Sequence, residues 1–174
     1  MKPRKKILVL DTSALLAKYQ LLLPHSEYEI ITTSKVIDEV KDLENKDAVL
    51  LAISLNRVKV IDPPSKALHE AEKVVVKIGE HTSLSQTDTS VAALALHYVS
   101  LGYKVIVITD DYALQNLLFH LGISFKPLRT RGIREARKYK VYCPKCGYVP
   151  RDPSETICPI CGSKLEGKKR TKKQ

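Results

Sequence analysis

Lys6-Ile7-Leu8-Val9-Leu10-Asp11-Thr12-Ser13 decides how the rest of the chain is read. Its apolar run is unbroken and stops at a carboxylate. An Ile/Leu/Val run without alternation is the pattern of a strand buried on both faces, and therefore of a parallel sheet with helices on either side. Asp11 then stands at the carboxyl end of the strand, and Thr12-Ser13 turn the chain into a helix. In open parallel sheets ligands bind beyond those ends. Asp is also a frequent helix cap, so Asp11 alone does not distinguish a cap from a site. The arrival of other acids at the same place does.

The chain has 174 residues, 44% of them hydrophobic, enough for one core of about 100 to 150 residues and something small beside it. No apolar run approaches the ~18 residues of a membrane span. The basic start Met1–Lys6 leads straight into a strand rather than into the apolar region of a secretory signal. These features predict an intracellular, cytoplasmic protein. A reducing compartment makes its four cysteines metal ligands rather than disulfides. The net charge of +10 is unevenly spread: residues 1–125 carry 14 Lys/Arg and 15 Asp/Glu, whereas residues 126–174 carry 15 and 4. A near-neutral body thus holds the chemistry, and the C-terminal third attracts polyanions, nucleic acid first among them. A membrane surface is disfavoured, because no basic amphipathic helix with bulky apolar anchors is present.

Along the body, Ser13 to Leu23 reads as a helix broken by Pro24-His25-Ser26, and Glu29 to Thr32 as a short strand. A helix starts near Ser34, with Val36, Val40 and Leu43 marking one face and Glu39 at its edge. Asp38 and Asp42 project to the solvent side. Asp47 to Leu55 is a further helix, and Arg57 to Asp62 an edge strand by its alternation. Ser65 to Ile78 is helical and closed by Gly79. Ser85 with Asp88 resembles a capping box at the head of a helix running to Leu101. That helix is apolar nearly all round at Val91 to Leu96, which buries it and turns Asp88 toward an enclosed space. Val105 to Ile108 is a second unbroken β-branched run. It ends in Thr109-Asp110-Asp111 and passes into the helix Ala113 to Leu121; Ile123 to Phe125 is a last, weaker strand.

Asp11, Glu39, Asp88, and Asp110 or Asp111 therefore present acids at strand ends or helix starts. Carboxylates gathered together repel and are costly to desolvate, so such a set implies a cation. Oxygen-only ligands point to Mg²⁺ or Mn²⁺. The five histidines are scattered and none shows the spacing of a zinc site.

In that order, the four motifs make residues 5–128 resemble the PIN-domain nucleases. The resemblance implies a parallel α/β sheet flanked by helices on both faces, Mg²⁺/Mn²⁺ dependence, and cleavage mostly of single-stranded RNA. The family pattern of Thr, any residue, Asp places Asp111 in the functional position and Asp110 beside it. On this likeness Asp11 and Asp88 are the direct metal ligands. Glu39 and Asp111 hold waters, recruit a second ion or orient the nucleophile, and Thr12, Ser13 and Thr109 hydrogen-bond the carboxylates. Attack by water rather than by the 2′-hydroxyl leaves 5′-phosphate and 3′-hydroxyl products.

Residues 129–140 read as a basic linker, with a short helix from Ile133 to Tyr139. Its Arg129, Arg131, Arg134, Arg137, Lys138 and Lys140, joined by Lys145 beyond it, are candidate phosphate contacts. Cys143-Pro-Lys-Cys146-Gly and Cys158-Pro-Ile-Cys161-Gly, with eleven residues between Cys146 and Cys158, are two knuckles of a four-thiolate Zn²⁺ site, one structural zinc per chain. A ribbon over 141–166 is too small to fold on its core alone, so the metal supplies its stability. Tyr139, Tyr142 and Tyr148 either stack on bases or fill the ribbon core. Residues 167–174 are expected to be a disordered basic tail. Body, linker and ribbon together resemble the archaeal Nob family of ribosome-assembly endonucleases. That likeness implies 3′-end trimming of the small-subunit ribosomal RNA precursor on the pre-ribosomal particle, with no small-molecule substrate. A toxin-type PIN ribonuclease and a non-catalytic RNA-binding assembly factor are the rival readings; all four acid positions are filled, which disfavours the second. A nucleotide-binding domain is disfavoured because neither buried strand is followed by a glycine-rich phosphate loop.

Overall fold

The computed structural model describes residues 6–22, 27–80, 83–152 and 154–169. In chain order the elements are β1 (Lys6–Leu10), α1 (Thr12–Leu16), a 3₁₀ turn (Tyr19–Leu21), β2 (Tyr28–Thr32), α2 (Ser34–Glu39), α3 (Leu43–Ser54), β3 (Lys59–Val60), α4 (Ser65–Ile78), α5 (Gln86–Ser100), β4 (Val105–Ile108), α6 (Tyr112–His120), β5 (Ser124–Lys126), β6 (Tyr139–Tyr142) and β7 (Glu166–Lys169). The first five strands form one sheet in the order β3-β2-β1-β4-β5, and every neighbouring pair is parallel. Ile7 to Leu10 are each at most 3% exposed, so the opening run is covered on both faces, as its lack of alternation requires. β3 lies at the sheet edge, where its alternation placed it.

The strand order reverses between β1 and β4, where Leu10 stands opposite Ile108. A crevice opens beyond the carboxyl ends of strands at such a reversal. Asp11 follows β1 there, and Thr109 to Asp111 follow β4. α5 closes the arrangement: Val91 to Ala95 are fully buried, and the small Ala93 meets Ala67 and Ala71 of α4. Alanines let two helices approach closely, and the remaining α5 residues can then face the sheet.

Several local readings are corrected. α1 is short because Lys18 takes a left-handed conformation (φ 54°), which ends the helix before Leu23. The second of the two expected helices starts at Leu43 rather than Asp47, and Leu43 does not belong to the first: Val40 is extended, and the Asp42 side chain caps α3 by accepting from Asn45 N. Leu43 is consequently 78% exposed and shares no buried face with Val36 and Val40. Glu39 ends α2 as an exposed residue rather than at an apolar margin. The helix expected over Ile133–Tyr139 does not form, because the segment's amides bond to side chains of the body: Ile133 N donates to Gln115 Oε1 (3.0 Å) and Arg137 N to Asn116 Oδ1 (2.7 Å). Residues 167–169, expected in the tail, belong to β7. The break at 24–26 and residues 170–174 lie outside the described residues.

β6 and β7 pair antiparallel, Tyr139 opposite Lys169, over a small core of Val141, Cys143, Cys158 and Leu165. Tyr148 packs against that core. The ribbon meets the body at Gly79, the αL residue closing α4 (φ 75°). A Cβ at Gly79 would stand 2.7 Å from the Tyr139 carbonyl oxygen, so only glycine satisfies both the helix cap and the contact.

Candidate active site and metal centre

Asp11 is the floor of the acid site. It is 5% exposed and lies at the N-cap of α1 without capping the helix through its side chain. Its Oδ2 instead accepts from Thr109 Oγ1 (2.8 Å) and Ser13 Oγ (3.3 Å). Burial pushes its pKa from 3.8 up to about 6 against those hydrogen bonds, and the neighbouring charge that acts on it is another acid, Asp88. Asp88 is half-buried at the head of α5. Its Oδ2 accepts from Ser85 N (2.8 Å) and Ser85 Oγ (2.7 Å), while Ser85 Oγ accepts from Asp88 N (3.0 Å). The capping box is therefore real, and Asp88 is still part of the set. Its pKa is raised by burial first, with Asp111 and Glu39 adding repulsion.

Glu39 accepts from Thr12 Oγ1, which ties α2 to the turn after β1. Asp111 caps α6 by accepting from Leu114 N (2.8 Å), and both it and Glu39 are exposed. The site is thus one buried carboxylate with a half-buried one and two exposed ones feeling one another's charge. Among the described residues no three acids bring ligand oxygens within 4.8 Å of one another; only the four cysteines form so tight a group. The acids stand farther apart than a shared inner shell requires. Asp88 and Asp111 are held by groups of their own turns, Asp11 and Glu39 by hydroxyls of neighbouring elements as well, and mutual repulsion opposes closer approach.

Asp110 has a different setting. Its Oδ1 accepts from the backbone amides of Leu128 (2.8 Å), Arg129 (2.9 Å) and Thr130 (3.2 Å). Partial burial alone would push its carboxyl up, but the amides of Arg129, Thr130 and Leu128 outweigh it and hold the pKa below the ordinary value.

Sequence reasoning missed Glu80, which is 2% exposed. It accepts from Asn116 Nδ2 (3.0 Å). Burial raises its pKa, and Asp111 raises it further while Arg137 lowers it. Nothing in the spacing marks this acid; it simply follows the glycine that ends α4. Asn116 and His120 also bond the Arg137 carbonyl (3.0 and 2.8 Å). Arg137 is half-buried against the body, unlike Arg129, Arg131, Arg134, Lys138, Lys140 and Lys145, all exposed. A cavity of about 530 Å³ between α4 and the start of α5 is lined by Lys35, Leu68, Glu72, Ser85 and Gln86 among others, and not by Asp11, Glu39, Asp88, Asp110 or Asp111.

An oxygen-only donor set, with a buried carboxylate that no basic side chain among the described residues neutralises, fits a hard divalent cation. In the ribbon, Cys143 Sγ and Cys161 Sγ are 3.4 Å apart, Cys146 Sγ and Cys158 Sγ 3.5 Å. A disulfide needs about 2.05 Å, and zinc–sulfur bonds of about 2.3 Å place tetrahedral sulfurs about 3.8 Å apart. The thiols are free and their spacing fits zinc. The two knuckles are built alike. Cys143 N donates to Tyr148 O and Cys158 N to Ser163 O, five residues on in each case, while Gly147 N and Gly162 N return to the first cysteine's carbonyl.

The family model described as "PIN domain of ribonuclease" matches residues 8–98. "Endoribonuclease Nob1" of Pyrococcus abyssi is 37% identical over 160 residues, covering 91% of each chain. "Endoribonuclease Nob1" of Methanothermobacter thermautotrophicus is 35% identical and covers 92% of each. "Ribonuclease VapC1" of Thermoplasma acidophilum is 31% identical, covering 92% of this chain and 77% of its own. The parallel sheet and the family match over residues 8–98 define a PIN-domain ribonuclease. Within that class the matches cover 91 and 92% of the chain and so reach into the ribbon, and the chain belongs to the Nob1 endoribonuclease family.

Proposed function

We propose that this protein cleaves single-stranded RNA in a divalent-metal-dependent reaction and matures the 3′ end of the small-subunit ribosomal RNA precursor during ribosome assembly. Asp11 carries the metal part of this reading. A carboxylate 5% exposed beside another acid is costly as an anion, and its hydrogen bonds from Thr109 and Ser13 offset that cost only in part, so a bound cation or protonation must supply the rest. Asp11 and Asp88 would hold Mg²⁺ or Mn²⁺. When bound, the ion supplies charge to the scissile phosphate and lowers the pKa of a water. Ser13 and Thr109 keep Asp11 oriented, while Glu39 and Asp111, both exposed, orient the attacking water and accept its proton. The ribbon holds a structural Zn²⁺ through Cys143, Cys146, Cys158 and Cys161. The exposed cations Arg129, Arg131, Arg134, Lys138, Lys140 and Lys145 bind RNA phosphates, and the pre-ribosomal particle is the setting, in the cytoplasm. Among the described residues no helix is long and apolar enough to cross a membrane.

The test is Mn²⁺-dependent cutting of an RNA spanning that 3′ end, with end analysis for 5′-phosphate and 3′-hydroxyl products. Cutting by Asp11→Asn at the wild-type rate would remove the catalytic assignment. A second reading is a toxin-type ribonuclease; the Thermoplasma relative is named simply as a ribonuclease. In-cell crosslinking with sequencing of bound RNA separates the two by target.

A further inference from the structure

Asp110 sits next to the acid assigned to the site, yet its carboxylate faces the basic segment after β5. One oxygen receives three consecutive amides, those of Leu128, Arg129 and Thr130, within 3.2 Å. A carboxylate oxygen offers two lone pairs, so the three amides share it and leave it no free acceptor site. Charge-assisted bonds of this kind are the stronger ones. On its other side, the Asp110 backbone N–H donates to Ser13 Oγ (3.1 Å), the hydroxyl that donates to Asp11 Oδ2. Farther along the segment, Gln115 Oε1 accepts from Ile133 N, and Asn116 bonds both the amide and the carbonyl of Arg137. All of these fastenings come from Asp110 or from α6, directly beside Asp111.

From this we infer that Asp110 is a positioning residue that clasps the basic segment against the acid site, so that Arg129 and Arg131 meet RNA at a fixed distance from Asp11. The inference rests on the proposed nuclease reading for its substrate and on the hydrogen bonds for its geometry. A clasp and a reacting acid respond differently to substitution. Asp110→Asn keeps an oxygen where the three amides converge, whereas Asp110→Ala removes it. A group that held a cation or moved a proton would be lost in both.

The experiment uses the full chain. Amide hydrogen exchange at residues 128–130 is compared in wild type, Asp110→Ala and Asp110→Asn, alongside KM and kcat for a single-stranded RNA with Mn²⁺. In Asp110→Ala we expect exchange at the three amides to accelerate about ten-fold or more, KM to rise about five- to ten-fold, and kcat to change less than KM. Asp110→Asn should recover most of both losses. Unchanged exchange in Asp110→Ala overturns the clasp. Abolition of cleavage by Asp110→Asn, as by Asp111→Asn, overturns the positioning role. If Asp110→Ala does not fold, the asparagine variant still decides through its kcat. Should wild type cut no RNA, the nuclease reading fails while the exchange result still judges the clasp.

Discussion

The ribbon gathers its four sulfurs from two copies of one five-residue motif, whereas the body gathers its acids from the ends of β1, α2 and β4 and the head of α5. In the ribbon, ligand spacing and backbone geometry are the same local fact: each knuckle closes on its own amides. In the body, no acid is near another in sequence, and only the parallel order β2-β1-β4 brings them together. The energetics differ accordingly. The ribbon's core is four side chains and one packed tyrosine, so on the proposed zinc reading its order depends on metal. The body has a continuous core of more than twenty buried side chains and keeps its acids at a cost to stability.

Removing the ribbon's metal is the harshest way to break this contrast. Zinc in small thiolate sites is worth on the order of 10 kcal/mol. Chelation or Cys143→Ser should therefore unfold β6 and β7, seen as loss of amide protection there, while the melting of residues 6–126 shifts by only a few degrees. Simultaneous melting of both would show that the body needs the ribbon.

Asp11→Asn addresses the other half. It should lower cleavage by at least about a thousand-fold and, in Mg²⁺- and Mn²⁺-free buffer, stabilise the body. Asp11 has a folded pKa of about 6 against 3.8 unfolded, so the unfolded chain gives up this proton at lower pH. Its contribution to stability is therefore present below about pH 4, falls as pH rises to about 6, and is absent above. The shift corresponds to roughly 3 kcal/mol at neutral pH. Denaturant unfolding at pH 4 and pH 7 should show the variant gaining over wild type only at the higher pH. An equal gain at both would remove burial of the charge as the cause.

Much of this was readable beforehand where periodicity and burial agree. Ile7 to Leu10 and Val105 to Ile108 read as buried strands because nothing in them alternates, and the knuckles read as a metal site because their spacing is the geometry. Leu43 misled because a capping aspartate restarts the helix one residue earlier, and the local competition of Asp42 for amides outweighs the apolar spacing. Residues 133–139 misled for a related reason: their composition permits a helix, but Gln115 and Asn116, far away in sequence, take the amides a helix would use. Glu80 and the clasp at Asp110 were invisible because both depend on partners fixed only by the fold.

Thr109→Val sharpens the acid side at smaller scale. The hydroxyl donates to Asp11 Oδ2 and accepts from Asp111 N (3.0 Å), so it sets two of the acids at once. A hydrogen bond to a charged group contributes roughly 1.5 to 3 kcal/mol. The near-isosteric valine should lower kcat by about ten-fold, with RNA affinity by filter binding held within about two-fold. Loss of affinity instead would give Thr109 a role in contacting RNA.

The mildest change tests whether the two regions work at a fixed distance. A Cβ at Gly167 would lie 3.0 Å from the Gly79 carbonyl oxygen and 3.3 Å from Tyr139 Cβ, so Gly167→Val wedges β7 away from the end of α4. Neither the acids nor the cysteines contact this position, and zinc content and the melting of the body should hold. The ribbon's cations would then meet RNA from a displaced platform. Each misplaced phosphate contact weakens binding only modestly, so KM should rise about two- to five-fold with kcat unchanged. The rise should shrink for an RNA too short to reach from the acid pocket to the ribbon. An equal rise on short and long RNA would place the damage in the body, and no rise on either would show that the seat at Gly79 serves folding alone.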